Sequence, residues 1–378
     1  MSIPRYGQTA ELINFLQFGG SIGFMESVAT LADDLALVRP TYLFAVPRIF
    51  HKIHDAVLQK MAREGVIARK LFENGLQAAR KRRESGGDSL SALETLTFSA
   101  ADKLVFKKIR ARFGGRLRGA MTAGATMNPQ VAAFFHDIGI PVYDCYGLSE
   151  TSPAVAMNCA KQFRLGSVGR PIENVRVVID RSVVDDDPRE GEILVYGPNV
   201  MKGYHNKPEQ THEVMTDDGG FRTGDRGRID EDGFLYVTGR IKEQYKLENG
   251  KYVFPSAIEE EIRAIPGVMS AMVHGAGQRY NVALIVPDFV ALRELLPDAS
   301  LPEAPREVVE RDDVHAYIHE RVTSALKAKL GGYEVPKKVI LIPEDFTVEN
   351  GMLTQTMKLK RRSVLAAYRN RIEAAYRD

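Results

Sequence analysis

Two kinds of apolar pattern alternate along the first part of the chain. Short, nearly continuous apolar runs such as TYLFAV (41–46) predict buried strands. Between them, apolar residues return every three or four positions, as on one face of an amphipathic helix. This alternation favours an α/β fold. Strands are predicted at 41–46, 117–122 and 141–147, and helices at 48–83, 90–112 and 128–136.

The pattern changes after about residue 160. Strands become short and turns frequent, and beyond Gly239 helices and strands alternate again. We therefore place a domain boundary near Gly239, with residues 1–239 in a large domain and 240–378 in a smaller one. Strands are predicted at 175–180, 192–197, 234–239, 268–274, 282–286 and 337–342, and helices at 256–264, 312–330 and 361–376.

Composition excludes several classes of protein. Apolar residues make up 44% and charged residues 26% of the chain, which excludes disorder as the main state. The net charge of +2 gives no sign of nucleic-acid binding. Cys145 and Cys159 are too few for a disulfide framework, no apolar run is long enough to span a membrane, and no secretory leader is recognisable. A cytoplasmic protein is the expectation.

Generic catalytic motifs are absent or incomplete. The P-loop pattern G-x-x-x-x-G-K-[ST] does not occur. A dinucleotide fingerprint begins at Gly275, but Tyr280 stands where it needs glycine. The G-x-S-x-G elbow of hydrolases is approached at Gly147, but Thr151 replaces the last glycine.

Several polar segments are more typical of solvated surface than of a functional site. The stretch KRRESGGDS (81–89) predicts a loop, and Asp185–Asp187 predict an acidic hairpin tip. His51 and His54 lie at helical spacing without a third ligand in sight. They indicate a solvated helix face rather than a metal site.

Two segments that follow predicted strands carry candidate chemistry. In TAGATMNP (122–129), small residues let a flat ligand approach the backbone, and the helix that follows offers free N–H groups. In YDCYGLSETSP (143–153), the Tyr146 ring can stack on a base. Ser149 and Glu150 are hard oxygen ligands suited to a Mg²⁺ ion that bridges phosphates.

Two later segments supply charged residues that could bind a ligand. The segment GGFRTGDRGRIDEDGFLYVTGRIKE (219–243) predicts a turn at Asp225, followed by a hairpin. Asp225 could accept two ribose hydroxyls, and Arg240 could meet a phosphate or ribose. In GMLTQTMKLKRR (351–362), Lys358 lies in a turn-like stretch before a basic helix. Each of these features alone is also typical of an ordinary solvated loop.

Taken in order, the four segments resemble the adenylate-forming superfamily, and most of all its long-chain fatty acyl-CoA synthetases. The signatures Y-G-[LF]-[ST]-E and G-[WFY]-x-x-[TS]-G-D are matched by YGLSE and GFRTGD. The hinge region is matched by GRIKEQYKLENGKYVFPSAIEE (239–260), and the long-chain form of the C-terminal lysine motif by LTQTMKLKRR. The acyl-pocket region resembles RPTYLFAVPRIFHKIHDAV (39–57). The resemblance covers nearly the whole chain, from about residue 11 to 375.

The resemblance implies a two-step ligase reaction with ATP, CoA and Mg²⁺. A long-chain fatty acid would attack the α-phosphate of ATP to give an acyl-adenylate, and CoA would then form acyl-CoA. It also implies a role for each matching residue. Tyr146 would stack on adenine, and Gly124 and Ala125 would line the adenine and acyl site. Glu150 would hold Mg²⁺, with Ser149 at the phosphate. Asp225 would bind the ribose beside Arg240, and Lys358 would contact the forming acyl-phosphate bond.

The resemblance further implies a moving C-terminal domain. Lys242 falls where the family's hinge residue lies. Gly250 and Lys251 fall in the loop that would face CoA after the domain rotates. The implied architecture is α/β, with a large domain of α/β sheets and a small β-barrel-like part, followed by a smaller α+β domain.

The chain departs from the family at one signature. The Ser/Thr/Gly-rich loop ending in Pro-Lys-Gly, which cradles the β- and γ-phosphates of ATP in that family, has no counterpart here. We therefore expect an incomplete large domain with exposed strand edges, and weak or absent adenylation by this chain alone. Because the later motifs are intact, a truncated or split enzyme, completed by an N-terminal chain, is favoured over an old pseudogene.

Other functions stay open at this stage. One is a non-catalytic or partner-dependent subunit that binds AMP, acyl-adenylate or CoA. Another is an aryl-CoA ligase or fatty acyl-AMP ligase, although the lysine motif and the 39–57 segment argue against it. The basic end, Lys358–Arg362, leaves open a peripheral contact with membrane, and the sequence leaves open the preferred acyl length and the oligomeric state.

Overall fold

The computed structural model describes residues 12–26, 30–85, 90–124, 127–183, 187–296, 300–354 and 358–377. None of the described helices has both the length and the apolar character needed to cross a bilayer. The helices are α1 (Asn14–Gln17), α2 (Leu31–Val38), α3 (Pro47–Arg63), α4 (Val66–Glu84), α5 (Ala92–Ala101), α6 (Lys107–Ala111), α7 (Pro129–Asp137), α8 (Pro208–Val214), α9 (Pro255–Arg263), α10 (Phe289–Leu295), α11 (Pro305–Val309), α12 (Asp312–Lys327), α13 (Arg361–Ala367) and α14 (Arg369–Arg377).

The strands form four separate sheets in the described part of the chain. They are β1 (Tyr42–Phe44), β2 (Gly119–Thr122), β3 (Val142–Gly147), β4 (Ala154–Met157), β5 (Arg170–Pro171), β6 (Arg176–Asp180), β7 (Gly191–Tyr196), β8 (Phe221–Ile229), β9 (Leu235–Arg240), β10 (Tyr245–Lys246), β11 (Tyr252–Val253), β12 (Val268–His274), β13 (Val282–Pro287) and β14 (Lys338–Leu341).

The first sheet has the order β1-β2-β3-β4-β5 and combines two strand directions. Its first three strands are parallel, and β4 and β5 continue it antiparallel. Helices α3 to α7 supply an aromatic core in which Phe50, Phe106 and Phe135 are fully buried. The strand predicted at 41–46 forms as β1, but it lies at the sheet edge and its residues are exposed or half-buried rather than buried.

The single helix predicted over 48–83 is two helices. Glu64 and Gly65 adopt extended backbone between α3 and α4, where glycine lowers the helical preference. The loop predicted at 81–89 is wrong for residues 81–84, which complete α4. Residues 86–89 lie outside the described part of the chain, as do residues 185 and 186 of the predicted acidic hairpin tip.

The solvated face predicted for His51 and His54 is wrong for His51. The His51 side chain is only 8% exposed, and burial lowers its pKa to about 4, so it is neutral at pH 7. The His54 Nδ1 atom lies 3.0 Å from Asp55 Oδ1, and the His54 ring packs edge-on against Phe134. The apolar stripe of α3 therefore includes a histidine as part of its packed face.

The start of α7 follows from its sequence. The Asn128 Oδ1 atom accepts hydrogen bonds from the backbone N–H groups of Gln130 at 2.8 Å and Val131 at 3.4 Å, and Pro129 occupies the first helical position. The predicted helix at 128–136 is thereby confirmed within one residue.

Loss of this cap is expected to destabilise the fold. Asn128→Ala should lower the free energy of unfolding by about 1 kcal/mol, because two amide groups of the first turn lose their acceptor. Urea unfolding measures the change. Asn128→Ser keeps an acceptor oxygen and should retain most of the stability, and equal losses in both variants would contradict the capping role.

A second sheet is fully antiparallel, with the order β6-β7-β8-β9. The expected barrel-like part is therefore an open sheet, since no pairing joins β6 to β9 in the described residues. The predicted turn at Asp225 is also wrong, because Asp225 lies inside β8. Gly224, beside Asp225, also lies in the strand. Gly227, in the same strand, is glycine because a Cβ would lie 2.3 Å from the Tyr236 carbonyl oxygen.

The last part of the chain is an α+β unit. Its three-stranded sheet has the order β12-β13-β14, with β13 pairing antiparallel to β12 and parallel to β14. One face packs against α9 and α12 and the other against α13 and α14, so all residues of β13 are buried. The helix predicted at 361–376 is divided at Tyr368 into α13 and α14.

Candidate functional site

Three predicted residues meet where β3 lies beside the antiparallel sheet. The Tyr146 hydroxyl donates a 2.7 Å hydrogen bond to Asp225 Oδ2. Arg240 Nε lies 2.9 Å from Asp225 Oδ1. Asp225 and Arg240 are direct cross-strand partners on β8 and β9, so sheet register alone fixes their pairing.

The Asp225 carboxylate is buried, which disfavours its charged form. The residue is 3% exposed, and burial raises its pKa above the ordinary value despite the opposing effects of Arg240, Tyr146 and Lys358. Burial, together with the neighbouring Asp225 carboxylate, raises the pKa of the Tyr146 phenol well above its ordinary value. The phenol therefore stays a donor, and the carboxylate is stabilised by any further donor that reaches it.

The turn after β3 carries the next two predicted residues. Ser149 and Glu150 lie in a short 3₁₀ helix, Ser149–Thr151, with Ser149 exposed and Glu150 half-buried. Gly147 permits the turn, because a Cβ there would lie 1.8 Å from the Pro153 carbonyl oxygen. The buried Thr151 hydroxyl holds the turn together. Its oxygen accepts a hydrogen bond from the Leu148 N–H, and its proton can be donated to the carbonyl oxygen of Pro153 or Leu148.

Tyr204 is a site residue that the sequence analysis missed. Its hydroxyl donates a 3.0 Å hydrogen bond to Glu150 Oε1 across 54 positions of sequence. Burial and the Glu150 carboxylate raise the pKa of Tyr204 to about 12. The backbone reinforces the contact, since the Met201 N–H donates to the Glu150 carbonyl oxygen at 2.8 Å. The only available sequence signal was an aromatic residue after Gly203 in a loop, which has no chemical signature by itself.

Lys358 approaches this group from the C-terminal unit. Its backbone is held by hydrogen bonds to Thr354, one in each direction. Loss of hydration lowers the pKa of Lys358 although part of the side chain is exposed, and Arg240 lowers it further. Asp225, Glu150 and Glu243 act in the opposite direction. Lys358 is thus within electrostatic range of both the Asp225 pair and Glu150.

The loop after β2 reaches the same edge of the first sheet. Strands β2 and β3 are parallel neighbours, so their carboxyl ends lie side by side. Gly124 follows β2 and Gly147 ends β3. Gly124 is exposed with φ +91°, and no atom lies within 4 Å of the position of a Cβ. Thr122 Oγ1 and Asn128 Nδ2, at the two ends of this loop, are buried without a partner among the described residues. Ala125 lies outside the described residues.

The predicted hinge and CoA-side residues lie apart from this group. Lys242 is exposed in the 3₁₀ helix Ile241–Glu243, just beyond Arg240. Gly250 and Lys251 belong to the β10–β11 hairpin, where Gly250 has φ +82° and Lys251 Nζ lies 4.5 Å from the centre of the Tyr333 ring. The Asp225 carboxylate instead pairs with Tyr146 and Arg240.

The arrangement suits a ligand with hydroxyl donors at one end and an anionic group at the other. A buried carboxylate faces Arg240, an ammonium group stands nearby, and a second carboxylate lies on a separate turn. In the described part of the chain, no three His, Cys, Asp or Glu side chains cluster closely enough to hold a metal ion. A hard cation at Glu150 would complete its coordination with other oxygen ligands, such as water or substrate phosphates.

Comparison with known proteins agrees with the fold and the motifs. Residues 5–205 match the family described as AMP-binding enzyme, and residues 242–378 match the AMP-binding enzyme C-terminal domain. The long-chain-fatty-acid–CoA ligase FadD15 of Mycobacterium bovis is 34% identical over 361 residues, covering 94% of this chain and 58% of that protein.

Two solved structures have a similar fold. The adenylation domain of the carboxylate reductase from Mycobacterium chelonae aligns with a TM-score of 0.73 and 26% identity, over 97% of this chain and 52% of that one. The corresponding domain from Segniliparus rugosus, in complex with AMP and a co-purified carboxylic acid, aligns with a TM-score of 0.69 and 26% identity, over 97% and 52%. The chain spans little more than half the length of these relatives. With more than half of its residues matched by the family, the chain belongs to the AMP-binding enzymes.

Proposed function

We propose that the chain takes part in activating long-chain fatty acids to acyl-CoA through an acyl-adenylate. In the first step a fatty-acid carboxylate oxygen bonds to the α-phosphorus of ATP and pyrophosphate leaves. In the second, the CoA thiol bonds to the acyl carbon, its proton is lost, and AMP leaves. The observation that carries the proposal is the buried Asp225 carboxylate, held between Tyr146 and Arg240, with Lys358 in electrostatic range. The similarity to FadD15 supports the choice of substrate class.

Asp225 is proposed to bind the ribose. The two hydroxyls of a ribose are paired donors, and a buried carboxylate that already accepts one bond on each oxygen has lone pairs left for them. Tyr146, fixed by its hydroxyl, would present its ring to adenine. Gly124 and Ala125 would line the adenine and acyl site, and Arg240 would stand beside the ribose and α-phosphate.

Glu150 is proposed to hold Mg²⁺ together with substrate phosphates, with Ser149 at the phosphate. A carboxylate can accept about four hydrogen bonds. Among the described residues, the Glu150 carboxylate accepts one, from Tyr204. Oxygen lone pairs therefore remain for a hard cation, and the chemistry of the donor fits Mg²⁺. Mg²⁺ supplies neutralisation of phosphate charge, while Tyr204 fixes the orientation of the carboxylate.

Lys358 is proposed to stabilise the first transition state. Negative charge gathers on the α-phosphate oxygens while the carboxylate oxygen approaches. A lysine is a compact point charge on a flexible stem. Loss of hydration and Arg240 lower the pKa of Lys358, and the carboxylates of Asp225 and Glu150 act against this. Its location on the C-terminal unit would let it enter for adenylation and leave afterwards.

We propose further that residues 240–378 move against residues 1–239 between the two steps. The contacts across the two parts support this, because they include ion pairs of exposed groups. Arg48 lies 3.1 Å from Asp345 and Arg63 lies 2.5 Å from Glu294. Such pairs contribute about 0–1 kcal/mol each, so little is lost when they separate. Rotation near Lys242 would bring Gly250 and Lys251 to the CoA side.

Stiffening the proposed hinge tests this motion. Lys242→Pro is expected to slow thioester formation more than adenylate formation, because proline fixes φ and restricts the residue before it. The rate of adenylation is measured as pyrophosphate release. The rate of thioester formation is measured as production of acyl-CoA from preformed adenylate. Lys242→Ala is the matched control. Equal loss of both steps in Lys242→Pro would contradict the hinge.

The overall proposal is tested by acyl-CoA formation from ATP, Mg²⁺, CoA and palmitate, with Lys358→Ala as the control. The assay is run on the chain alone and after addition of the N-terminal part of a curated relative, which would carry the Gly-rich phosphate loop. Turnover that is lost in Lys358→Ala supports the proposal. Adenylate binding without turnover in either setting would favour a binding subunit instead. A complementing partner, contact with membrane and a cytoplasmic location stay predictions.

A further inference from the structure

Arg361, close behind Lys358 in the chain, makes a buried two-pronged ion pair. Its Nη1 atom lies 2.7 Å from Glu259 Oε1 and its Nη2 atom 2.6 Å from Glu259 Oε2. Glu259 is 3% exposed and also accepts the Val273 N–H at 2.7 Å. Two parallel hydrogen bonds fix the orientation of a guanidinium as well as its position. The start of α13 is therefore locked to α9 and β12.

The same guanidinium reaches the proposed hinge. Arg361 Nε lies 3.6 Å from Glu243 Oε2, and Glu243 also accepts a 2.6 Å hydrogen bond from the Ser256 hydroxyl. Arg361 Nη2 donates to that hydroxyl at 3.4 Å. Glu243 belongs to the segment just after Arg240, so one side chain joins the hinge to the lysine loop.

The described residues on both sides of Lys358 are also held by packing. Met352 and Leu353 are buried in the core of the C-terminal unit, and Leu359 packs against it. Short-range backbone bonds, such as that from the Lys360 N–H to the Met352 carbonyl at 2.8 Å, add to this packing. The Arg361 contacts add a link from this segment to the hinge. An ion pair with a buried partner gives little net stability over apolar packing, so we take the role of this pair to be geometric.

We propose that Arg361 is a positioning residue that holds Lys358 toward the adenylate site by clamping its loop to Glu259 and to Glu243 at the hinge. The proposal rests on the role proposed above for Lys358. Lysine cannot replace the arginine, because a single ammonium group cannot make the two-pronged pair and reach Glu243. A role in folding alone would leave the environment of Lys358 unchanged in a folded variant.

The test compares Arg361→Lys, which keeps the charge, with Arg362→Lys at the exposed next position. The first readout needs no activity: the pH dependence of Lys358 acetylation by acetic anhydride, followed by mass spectrometry. In the native protein, Lys358 should react at lower pH than exposed lysines, because its pKa is lowered by loss of hydration. In Arg361→Lys the midpoint should rise toward that of an exposed lysine, and in Arg362→Lys it should stay. The second readout is the two half-reactions, measured with the N-terminal part of a curated relative added, with adenylation expected to fall at least tenfold in kcat while thioester formation changes less than about twofold.

Each outcome separates the clamp from the proposed function. An unchanged Lys358 midpoint in folded Arg361→Lys overturns the clamp. A shifted midpoint with unchanged adenylation overturns instead the role of Lys358 in that step. If Arg361→Lys does not fold, Ser256→Ala removes the bridging hydroxyl without changing charge. It should shift the midpoint in the same direction by a smaller amount, and no shift there also overturns the clamp.

Discussion

Replacing Lys358 by alanine is expected to lower the rate of acyl-adenylate formation by about 100-fold or more. Removal of one group that stabilises transition-state charge typically costs a factor of about 10² to 10³. Thioester formation from preformed adenylate should change little, because no pentavalent phosphorus forms in that step. The physical basis is the approach of Lys358 to Asp225, Arg240 and Glu150.

The matched control is Lys360→Ala. Lys360 lies on the same loop and is exposed. Pyrophosphate release with ATP, Mg²⁺ and palmitate, measured under the conditions of the overall assay, should be nearly unchanged in that variant. If both alanine variants lose adenylation equally, the loss comes from the loop as a whole and the role of Lys358 is wrong.

Asp225→Asn is expected to weaken AMP binding by about 10- to 100-fold. An amide retains one acceptor oxygen but no charge, and each charge-assisted hydrogen bond contributes about 1.5–3 kcal/mol. Calorimetric titration with AMP measures the change. Asp232→Asn, at an exposed hairpin position paired with Arg164, should bind AMP like the native protein. Unchanged AMP affinity in Asp225→Asn would contradict the proposal that Asp225 binds the ribose.

The same substitution is not expected to destabilise the fold. Burial raises the pKa of Asp225 above its ordinary value, so the folded state favours the protonated form. The stability that this group contributes is present at low pH and lost as pH rises through the folded-state pKa. Asparagine stays neutral throughout. The melting temperature of Asp225→Asn, relative to native, should therefore rise as pH increases above the ordinary pKa of an aspartate, about 4, although AMP affinity falls.

Strong local patterns predicted elements well. The strand at 268–274 and the helix opened by Asn128-Pro129 match the structure because apolar period and cap chemistry agree there. Weak local signals failed where tertiary contacts decide. Gly224 and Gly227 favour a turn locally, yet pairing with β7 and β9 holds them in β8. Likewise, the solvated face expected at His51 is covered by packing that the helical period alone does not reveal.

For the candidate site, likewise, the residues of local motifs could be predicted but the tertiary contacts could not. Tyr146, Asp225 and Arg240 could be proposed from motifs, but their mutual contacts depend on sheet register and on pairing between distant segments. Tyr204 and Arg361 were not identified, because each acts through a partner 54 or 102 positions away. The roles of the motif residues are still predictions, and Lys242, Gly250 and Lys251 acquire roles only if the C-terminal unit moves.

The most direct test supplies the chain with a preformed palmitoyl-adenylate and CoA. This step requires no cradle for the β- and γ-phosphates, so it examines the residues that the chain does contain. We expect palmitoyl-CoA formation well above the rate without protein, reduced in Asp225→Asn and retained in Lys358→Ala. A folded sample that neither binds the adenylate nor accelerates its reaction with CoA would show that the proposed function is wrong.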